Sequence, residues 1–516
     1  MVNRSVRPNS ITNLRRLNSA AVPLLRLAGI SDPTRKRETD AAADYDTSVD
    51  LDDTKSLFRS VSTGKLIKSS ITLHMASFGP MVDIGTMVMG SKLMEIDVFR
   101  KAVLGLTERT FYDHFCAGAD LNTARETVSK LWGAGLSAML DYGLEHAHDN
   151  ESCDSNTEQI VETINSSKML GNSAVSFVVV KITAICPPKL LKRVSDLLRW
   201  EYKDNSLHLP WKLRSFPVFS DSSPFYHTPN RPHPLTPVEE SNLRLAYERM
   251  NKICERAQVS NIPLLIDAED SSIQPAIDYF TYSAAIEYSN GDDDPIIFNT
   301  IQAYLKDAKE RLAIAKEAAD GMGVPVGFKL VRGAYMSSEK RLADKLGVPS
   351  PVHDSIQDTH DCYNECADFL LQEIACGSGS VVLATHNVQS ETPRFVPKGI
   401  NGSSSKGRTR WPVGQAPGFN QRKMAASKVV NLGIRKNSPY LHFAQLYGMA
   451  EALSFGLKNA GFRVSKYLPF GPVEQIMPYL LRRAEENRGL LSTSSIDRQL
   501  IRKEIIRRLA SRSKES

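Results

Sequence analysis

Pro295–Gly333 reads P-I-I-F-N-T-I-Q-A-Y-L-K-D-A-K-E-R-L-A-I-A-K-E-A-A-D-G-M-G-V-P-V-G-F-K-L-V-R-G. Its first nine residues, Pro295–Ala303, are apolar, partly β-branched and too short for a helix, so they read as a buried strand. Leu305–Gly321 is rich in Ala, Leu, Glu and Lys and reads as a helix. Val326–Gly333 is a second apolar run. Strand, helix, strand implies parallel strands joined by a crossover helix.

The same unit recurs on both sides. Further strand-like runs are Ser137–Tyr142, Ser176–Ala184, Ile262–Glu269, Ser380–Asn387, Tyr440–Tyr447 and Val464–Gly471. Helical stretches between them include Leu235–Gln258, Ile273–Asn290, Ser355–Cys376 and Phe455–Gly461. Eight such units predict an α/β fold, a closed (βα)8 TIM-type barrel over residues 135–495. Residues 55–134 read as a helical segment before the first strand. A doubly wound dinucleotide fold would need GxGxxG after a strand. Gly321, Gly323 and Gly327 spell GxGxxxG and precede one, which places them in a turn.

Two stretches depart from the plain barrel pattern. Residues 203–237 hold seven prolines between Pro210 and Pro237, and 391–423 are basic and rich in Gly and Ser. A structureless loop this long is unusual inside a compact domain.

Residues 1–37 carry Arg4, Arg7, Arg15, Arg16, Arg26, Arg35, Lys36 and Arg37, with the first acid only at Asp32. Arg-rich, Ser-containing and acid-poor is the composition of a mitochondrial or plastid transit peptide. Residues 38–54 turn acidic and read as a linker, and 496–516 read as a basic tail. The net charge of +6 is modest for 516 residues and sits largely at the ends and in one internal segment, which argues against nucleic-acid binding. The most apolar long stretch, Ile71–Gly90, contains His74, Pro80 and Asp83, too polar and broken for a bilayer span, so membrane contact is expected to be peripheral. Seven scattered cysteines without a CxxC pair support neither a disulfide framework nor a zinc ribbon. Cys362 and Cys366, one turn apart beside His360 and Asp361, read as buried thiols on a helix, and no metal is expected.

Barrel enzymes carry their chemistry at the C-terminal strand ends. Those ends present Asp141, Lys181, Asp267, Glu269, Gln302, Lys329, Arg332, Thr385, His386, Asn387, Gln445, Tyr447 and Tyr467. Beyond the last strand lies Y-L-P-F-G-P-V-E-Q-I-M-P-Y-L-L-R-R-A-E-E-N, Tyr467–Asn487. Tyr479, Arg482, Arg483 and Glu486 fall on one helix face. Two guanidiniums beside a tyrosine suit bidentate capture of a carboxylate. Lys329 and Arg332 flank a strand end at which Gly333 lets backbone approach a ligand. Their charge suits a phosphate or a ring that gains negative charge on reduction.

These segments, with I-Q-A-Y at Ile301–Tyr304, L-L-I-D-A-E at Leu264–Glu269, A-T-H-N at Ala384–Asn387 and L-Y-G-M at Leu446–Met449, resemble the proline dehydrogenase family. The resemblance runs in order over roughly residues 95–500 and is greatest to the plant mitochondrial branch. It implies a distorted barrel holding FAD noncovalently and oxidising L-proline to 1-pyrroline-5-carboxylate, the first step of proline catabolism. The enzyme would act at the matrix side of the inner mitochondrial membrane and pass electrons to a quinone. It also implies that Arg482 and Arg483 bind the proline carboxylate, that Tyr467 and Tyr479 wall the pocket, and that Leu446 packs on the substrate ring. Asp141 matches a family acid. Gln302, Lys329, Arg332, Gly333, Thr385, His386, Asn387 and Glu486 match FAD contacts. Lys329 stands where bacterial members often have Arg, keeping the charge but losing the fork.

Glu391–Lys423 has no counterpart in the family pattern. It reads either as a retained intron or gene-model error, or as a genuine loop, and it adjoins the implied FAD contacts. Two other readings compete with the flavoenzyme. One is a barrel lyase or aldolase with Lys181 or Lys329 as a Schiff base. The other is a degenerate barrel acting as a regulatory binding protein.

Overall fold

The computed structural model describes residues 49–145, 147–171, 174–289, 294–387, 425–489 and 491–515. The predicted leader, most of the acidic linker and the 391–423 insertion lie outside them. Strands β1 (Ser137–Tyr142), β2 (Val175–Val180), β3 (Leu264–Ile266), β4 (Ile297–Gln302), β5 (Gly327–Val331), β6 (Ser380–Ala384), β7 (Leu441–Leu446) and β8 (Val464–Phe470) form one closed parallel barrel in chain order. β8 closes on β1 with Asp141 opposite Pro469. The strands are buried along almost their whole length, as parallel strands under a helical shell must be.

The longer helices before the barrel are α1 (Thr63–Ser77), α2 (Gly79–Met89), α3 (Asp97–Thr107) and α4 (Leu121–Gly133). The crossovers are α5 (Asn150–Leu170), α6 (Pro188–Lys203), α7 (Pro237–Ser260), α8 (Gln274–Glu287), α9 (Ala308–Met322), α10 (Met336–Leu346), α11 (Ile356–Ala375), α12 (Ala425–Asn431) and α13 (Glu451–Asn459). Then come α14 (Val473–Gly489) and α15 (Leu491–Glu515). Several starts follow from local chemistry. Asp120, Thr236 and Ser355 form reciprocal capping boxes, each satisfying amides that a first helical turn leaves open.

The distortion of the barrel lies in α14. A regular eighth helix would lie along the wall between β8 and β1. Here α4 packs against both of those strands, and α14 packs instead on α1 and α2. That frees α14 to present its polar face to the mouth.

The strand expected over Ser176–Ala184 stops at Val180, and Ile182–Ile185 forms a short helix. Both forms bury the same apolar residues, so periodicity alone did not separate them. The proline-rich segment after α6 has no regular structure. It is anchored by an aromatic group of Tyr202, Phe219 and Phe225 and by a 2.7 Å bond from Ser223 to Asp307. Gly327 is required by close approach rather than by a nucleotide, since a Cβ there would fall 2.2 Å from the Phe298 ring.

Val49 and Leu51, at the end of the acidic stretch, are buried. The basic C-terminal residues belong to α15, which docks on α1. Asp497 caps the start of α13 by accepting the Glu451 and Ala452 amides at 3.1 and 2.9 Å. Glu504, fully buried, accepts from Thr54 at 3.1 Å, from Arg507 at 2.8 Å and from Arg508 at 2.7 Å. Burial alone would raise the Glu504 pKa, but the bonds from Arg507 and Arg508 outweigh it and hold it down to about 2 from the ordinary 4.5. The bonds of the ionised form therefore stabilise the fold fully above pH 4.5, and that contribution fades as pH falls towards 2. Glu504→Gln is expected to lower stability by roughly 2–3 kcal/mol at neutral pH, with a smaller difference from the parent at pH 3. Urea melts at the two pH values would read this, and an equal difference at both would discard the assignment.

Candidate active site

Five strand ends converge on one phenol. Tyr467, within β8, sets its single O–H between Asp141 at the end of β1 and Asp267 just past β3, at 2.8 and 2.7 Å, donating to one at a time. Lys181, just past β2, donates to the same phenol at 2.9 Å and to Asp141 at 2.7 Å, and pairs with Asp267 at 3.2 Å. Lys329, on β5, closes the ring through Asp267. Both ammoniums lie 5.5–5.6 Å from the Tyr467 ring centroid. Two carboxylates and two ammoniums balance in a space from which water is nearly excluded.

Burial penalises ionising Asp141, and its carboxyl stays above the usual range despite Lys181. The same penalty acts on Asp267, but the Lys329 and Lys181 ammoniums outweigh it and hold that carboxyl down. Burial also opposes charge on Lys181, yet Asp141 and Asp267 push its pKa well up. A Schiff-base lysine needs the opposite, a neutral amine near pH 7. The lyase reading for Lys181 therefore fails on electrostatics.

The roof carries the guanidiniums. Arg482 forms a two-bond fork with Glu145, in the segment after β1, at 2.7 and 3.0 Å, and stacks 6.0 Å from the Tyr335 ring. Arg483 turns the other way, pairing with Glu486 and stacking 4.9 Å from Tyr479. Consecutive residues on a helix diverge by about 100°, so the two neighbours reach different partners. Pro478 inside α14 removes one helical amide.

A third group gathers at β5 and β6. Arg332 donates to His360 of α11 at 3.0 Å and to Thr385, and lies 4.3 Å over the Tyr363 ring. Asn387 contacts the same His360 at 3.4 Å and donates its amide to Thr385 at 3.0 Å. His386 accepts the Leu446 amide at 3.1 Å. Burial and the nearby Lys466, Arg483 and Arg332 charges push its pKa down to about 3, so it stays a neutral acceptor. Leu446 is thereby fixed at the end of β7. Gln302, buried on β4, donates to the Glu269 backbone at 2.8 Å. Burial raises the Glu269 carboxyl to about 8 even though Thr183 donates to it at 2.8 Å.

Gly333 sits at φ +128°, where an added Cβ would lie 1.5 Å from the Tyr304 ring. The position excludes any side chain, because the Tyr304 ring packs directly on the backbone next to Arg332.

The predicted residues thus fall into three groups at one mouth: Asp141, Lys329 and Tyr467; Tyr479, Arg482, Arg483 and Glu486; Gln302, Arg332, Gly333, Thr385, His386 and Asn387, with Leu446. Sequence reasoning noted Lys181 and Asp267 at strand ends without joining them to Tyr467. It missed Glu145 and Tyr335, which lie between regular elements, and Tyr363, which sits on the buried face of α11 and reads there as ordinary core. Cys362 and Cys366 are buried, and no group of His, Cys, Asp and Glu suited to a metal occurs among the described residues.

The family model described as proline dehydrogenase matches residues 124–393 and 419–495. The gap between the two matched segments falls inside Glu391–Lys423. Proline dehydrogenase 2, mitochondrial, of Arabidopsis thaliana is 51% identical over 99% of both chains. Proline dehydrogenase 1, mitochondrial, of the same plant is 56% identical over 89% of this chain and 87% of its own. In fold, the chain is similar to a crystal structure of proline utilization A from Bdellovibrio bacteriovorus inactivated by N-propargylglycine. The TM-score is 0.54 at 20% identity, covering 84% of this chain and 36% of that one, so the barrel corresponds to about a third of a much longer protein. Half of the residues identical along the whole length of a relative, and a family model matched through both the strand-end motifs and the Arg482/Arg483 helix, lead to one conclusion: the chain belongs to the proline dehydrogenase family.

Proposed function

We propose that this barrel mouth holds FAD noncovalently, oxidises L-proline to 1-pyrroline-5-carboxylate and passes the electrons to a membrane quinone. Proline oxidation is the activity of the family, and the enzyme is mitochondrial, as its named relatives are. The observation that carries the substrate assignment is the Arg482 fork on Glu145. A carboxylate already fills that fork, in the geometry an amino-acid carboxylate would take.

Lys329 and Arg332 put positive charge at the β5 end, which fits a flavin that gains negative charge on reduction. On the substrate side, Asp141 Oδ1, Tyr479 Oη and Arg483 Nε are buried without a hydrogen-bond partner among the described residues, an arrangement that favours a polar substrate. Gln302, Lys329, Arg332, Gly333, Thr385, His386, Asn387 and Glu486 would hold the cofactor. When bound, the flavin supplies an acceptor for the hydride from the proline carbon beside nitrogen.

The chain's own residues bind, orient and exclude water. Arg482 and Arg483 take the substrate carboxylate, and Glu145 and Glu486 release them. Tyr467, held by bonds to Asp141, Lys181 and Asp267, is a rigid wall, and Tyr479 is a second. Leu446, fixed through His386, packs on the substrate ring. Lys329 supplies positive charge beside the cofactor, and its flexible single ammonium is steadied by Asp267. Electron exit to a quinone implies peripheral contact with the inner mitochondrial membrane, on the matrix side.

The test is an absorbance spectrum of the purified protein. Flavin bands that bleach on adding L-proline are expected. A colourless protein, or bands unmoved by proline, would sink this reading and favour the regulatory barrel.

A further inference from the structure

Soluble proteins scatter exposed apolar side chains and seldom gather them. Among the described residues 22 large apolar side chains are exposed, and ten of these fall between Ile67 and Leu106. α2 is the extreme case. Of its eleven residues only Val82 is buried, and Asp83 is its one charge. Phe78, Met81, Ile84 and Met87 follow one another at three-residue spacing, open over 61, 41, 58 and 68% of their surface. Ile71 on α1 and Val98 on α3 are also exposed. α1 packs on α2, and both α2 and α3 pack on the turn Lys92–Glu95 between them, so the three helices form one connected apolar region of the surface.

We propose that this face docks on an anionic lipid bilayer. Charge selects the occupant. Thr54–Thr107 hold seven Lys and Arg against three Asp and Glu, and so do the residues of α15, which packs on α1. Each segment is four charges positive, so the two together exceed the +6 of the whole chain. An apolar helix with a basic surround is the character of a membrane-surface element. A second copy would bring the same positive surface against itself. The bilayer also has a use at this place. α14, which carries Arg482 and Arg483, packs on α1 and α2, so a docked bilayer lies directly behind the roof of the mouth. The proposal deepens the membrane contact read above. Its test reads binding without turnover, so failure of the quinone assignment would leave it standing.

The full chain is mixed with phosphatidylcholine vesicles containing a minor fraction of cardiolipin, and with phosphatidylcholine alone, and the bound fraction is read by co-sedimentation. Binding to the anionic vesicles, weakening as salt is raised, is expected. Ile84→Glu with Met87→Glu should weaken it at least about tenfold. Both positions are exposed and outside the mouth, so proline-dependent reduction of a water-soluble dye should be unchanged. Should the double variant fail to fold, Met87→Ser is expected to weaken binding about threefold. Parent protein that ignores both vesicles, or variants that bind as tightly as the parent, overturns the proposal. A dimer in sedimentation that the double variant abolishes, with no vesicle binding by the parent, overturns it in favour of a self-interface.

Discussion

Arg482→Met is expected to raise the KM for L-proline by about two to three orders of magnitude while flavin remains bound. The fork that now closes on Glu145 at 2.7 and 3.0 Å is the group proposed to take the substrate carboxylate. A bidentate ionic contact in a mostly desolvated site contributes about 3–4 kcal/mol, which converts to that range. Methionine keeps the length and much of the packing of the arginine stem and removes all five donors. The side chain of Glu145 is only 4% exposed, so losing the fork should also lower Tm. Adding Glu145→Gln separates the two effects. It should restore much of the stability by removing the buried charge, and it should leave the proline affinity poor. Steady-state kinetics with a flavin spectrum read both. An unaltered KM would strip Arg482 of its carboxylate role.

Gly333→Ala is expected to cost more than about 4 kcal/mol, or to yield protein without flavin. The left-handed backbone at φ +128° disfavours any side chain by about 1–3 kcal/mol. The larger share is steric. The new methyl would sit 1.5 Å from the Tyr304 ring, which is itself buried. Either the ring leaves its place or the β5 end shifts and carries Arg332 and Lys329 out of position. Thermal melts and flavin content of the purified variant check it. Tyr304→Leu in the same chain should recover part of the loss by opening the space while leaving the strained φ. A Gly333→Ala protein with parental Tm and flavin content would show that neither the backbone strain nor the clash constrains this strand end.

Much of the barrel was legible because its strands are buried on both faces. Such strands leave near-continuous apolar runs, and the residue that ends each run marks the mouth. Asp141, Lys181, Asp267 and Lys329 were therefore visible as strand-end residues before any coordinate. The helix face of Tyr479, Arg482, Arg483 and Glu486 was legible for a similar reason, since spacing along one helix is a local property. Glu145 and Tyr335 were not, because each acts through a partner distant in the chain and sits where no period constrains it, and Tyr363 was not, because its place on the buried face of α11 does not reveal its partner Arg332. The short helix after β2 escaped because a strand and a helical turn can bury the same apolar residues.

The sequence by itself determined which residue types stand at the strand ends, the parallel α/β alternation that closes a barrel, and the family to which the chain belongs. These follow from local periodicity, from crossover geometry and from motifs contiguous in the chain. Only the tertiary structure decided what those residues do to one another. It set α4 in the wall and α14 over the mouth. It joined Asp141, Lys181, Asp267, Lys329 and Tyr467 into one neutral cluster, and it turned Arg482 and Arg483 to different carboxylates. The physical reason is that charge pairing and desolvation depend on distance in space, and apart from the local Arg483–Glu486 pair the partners here lie tens to hundreds of residues apart in the chain.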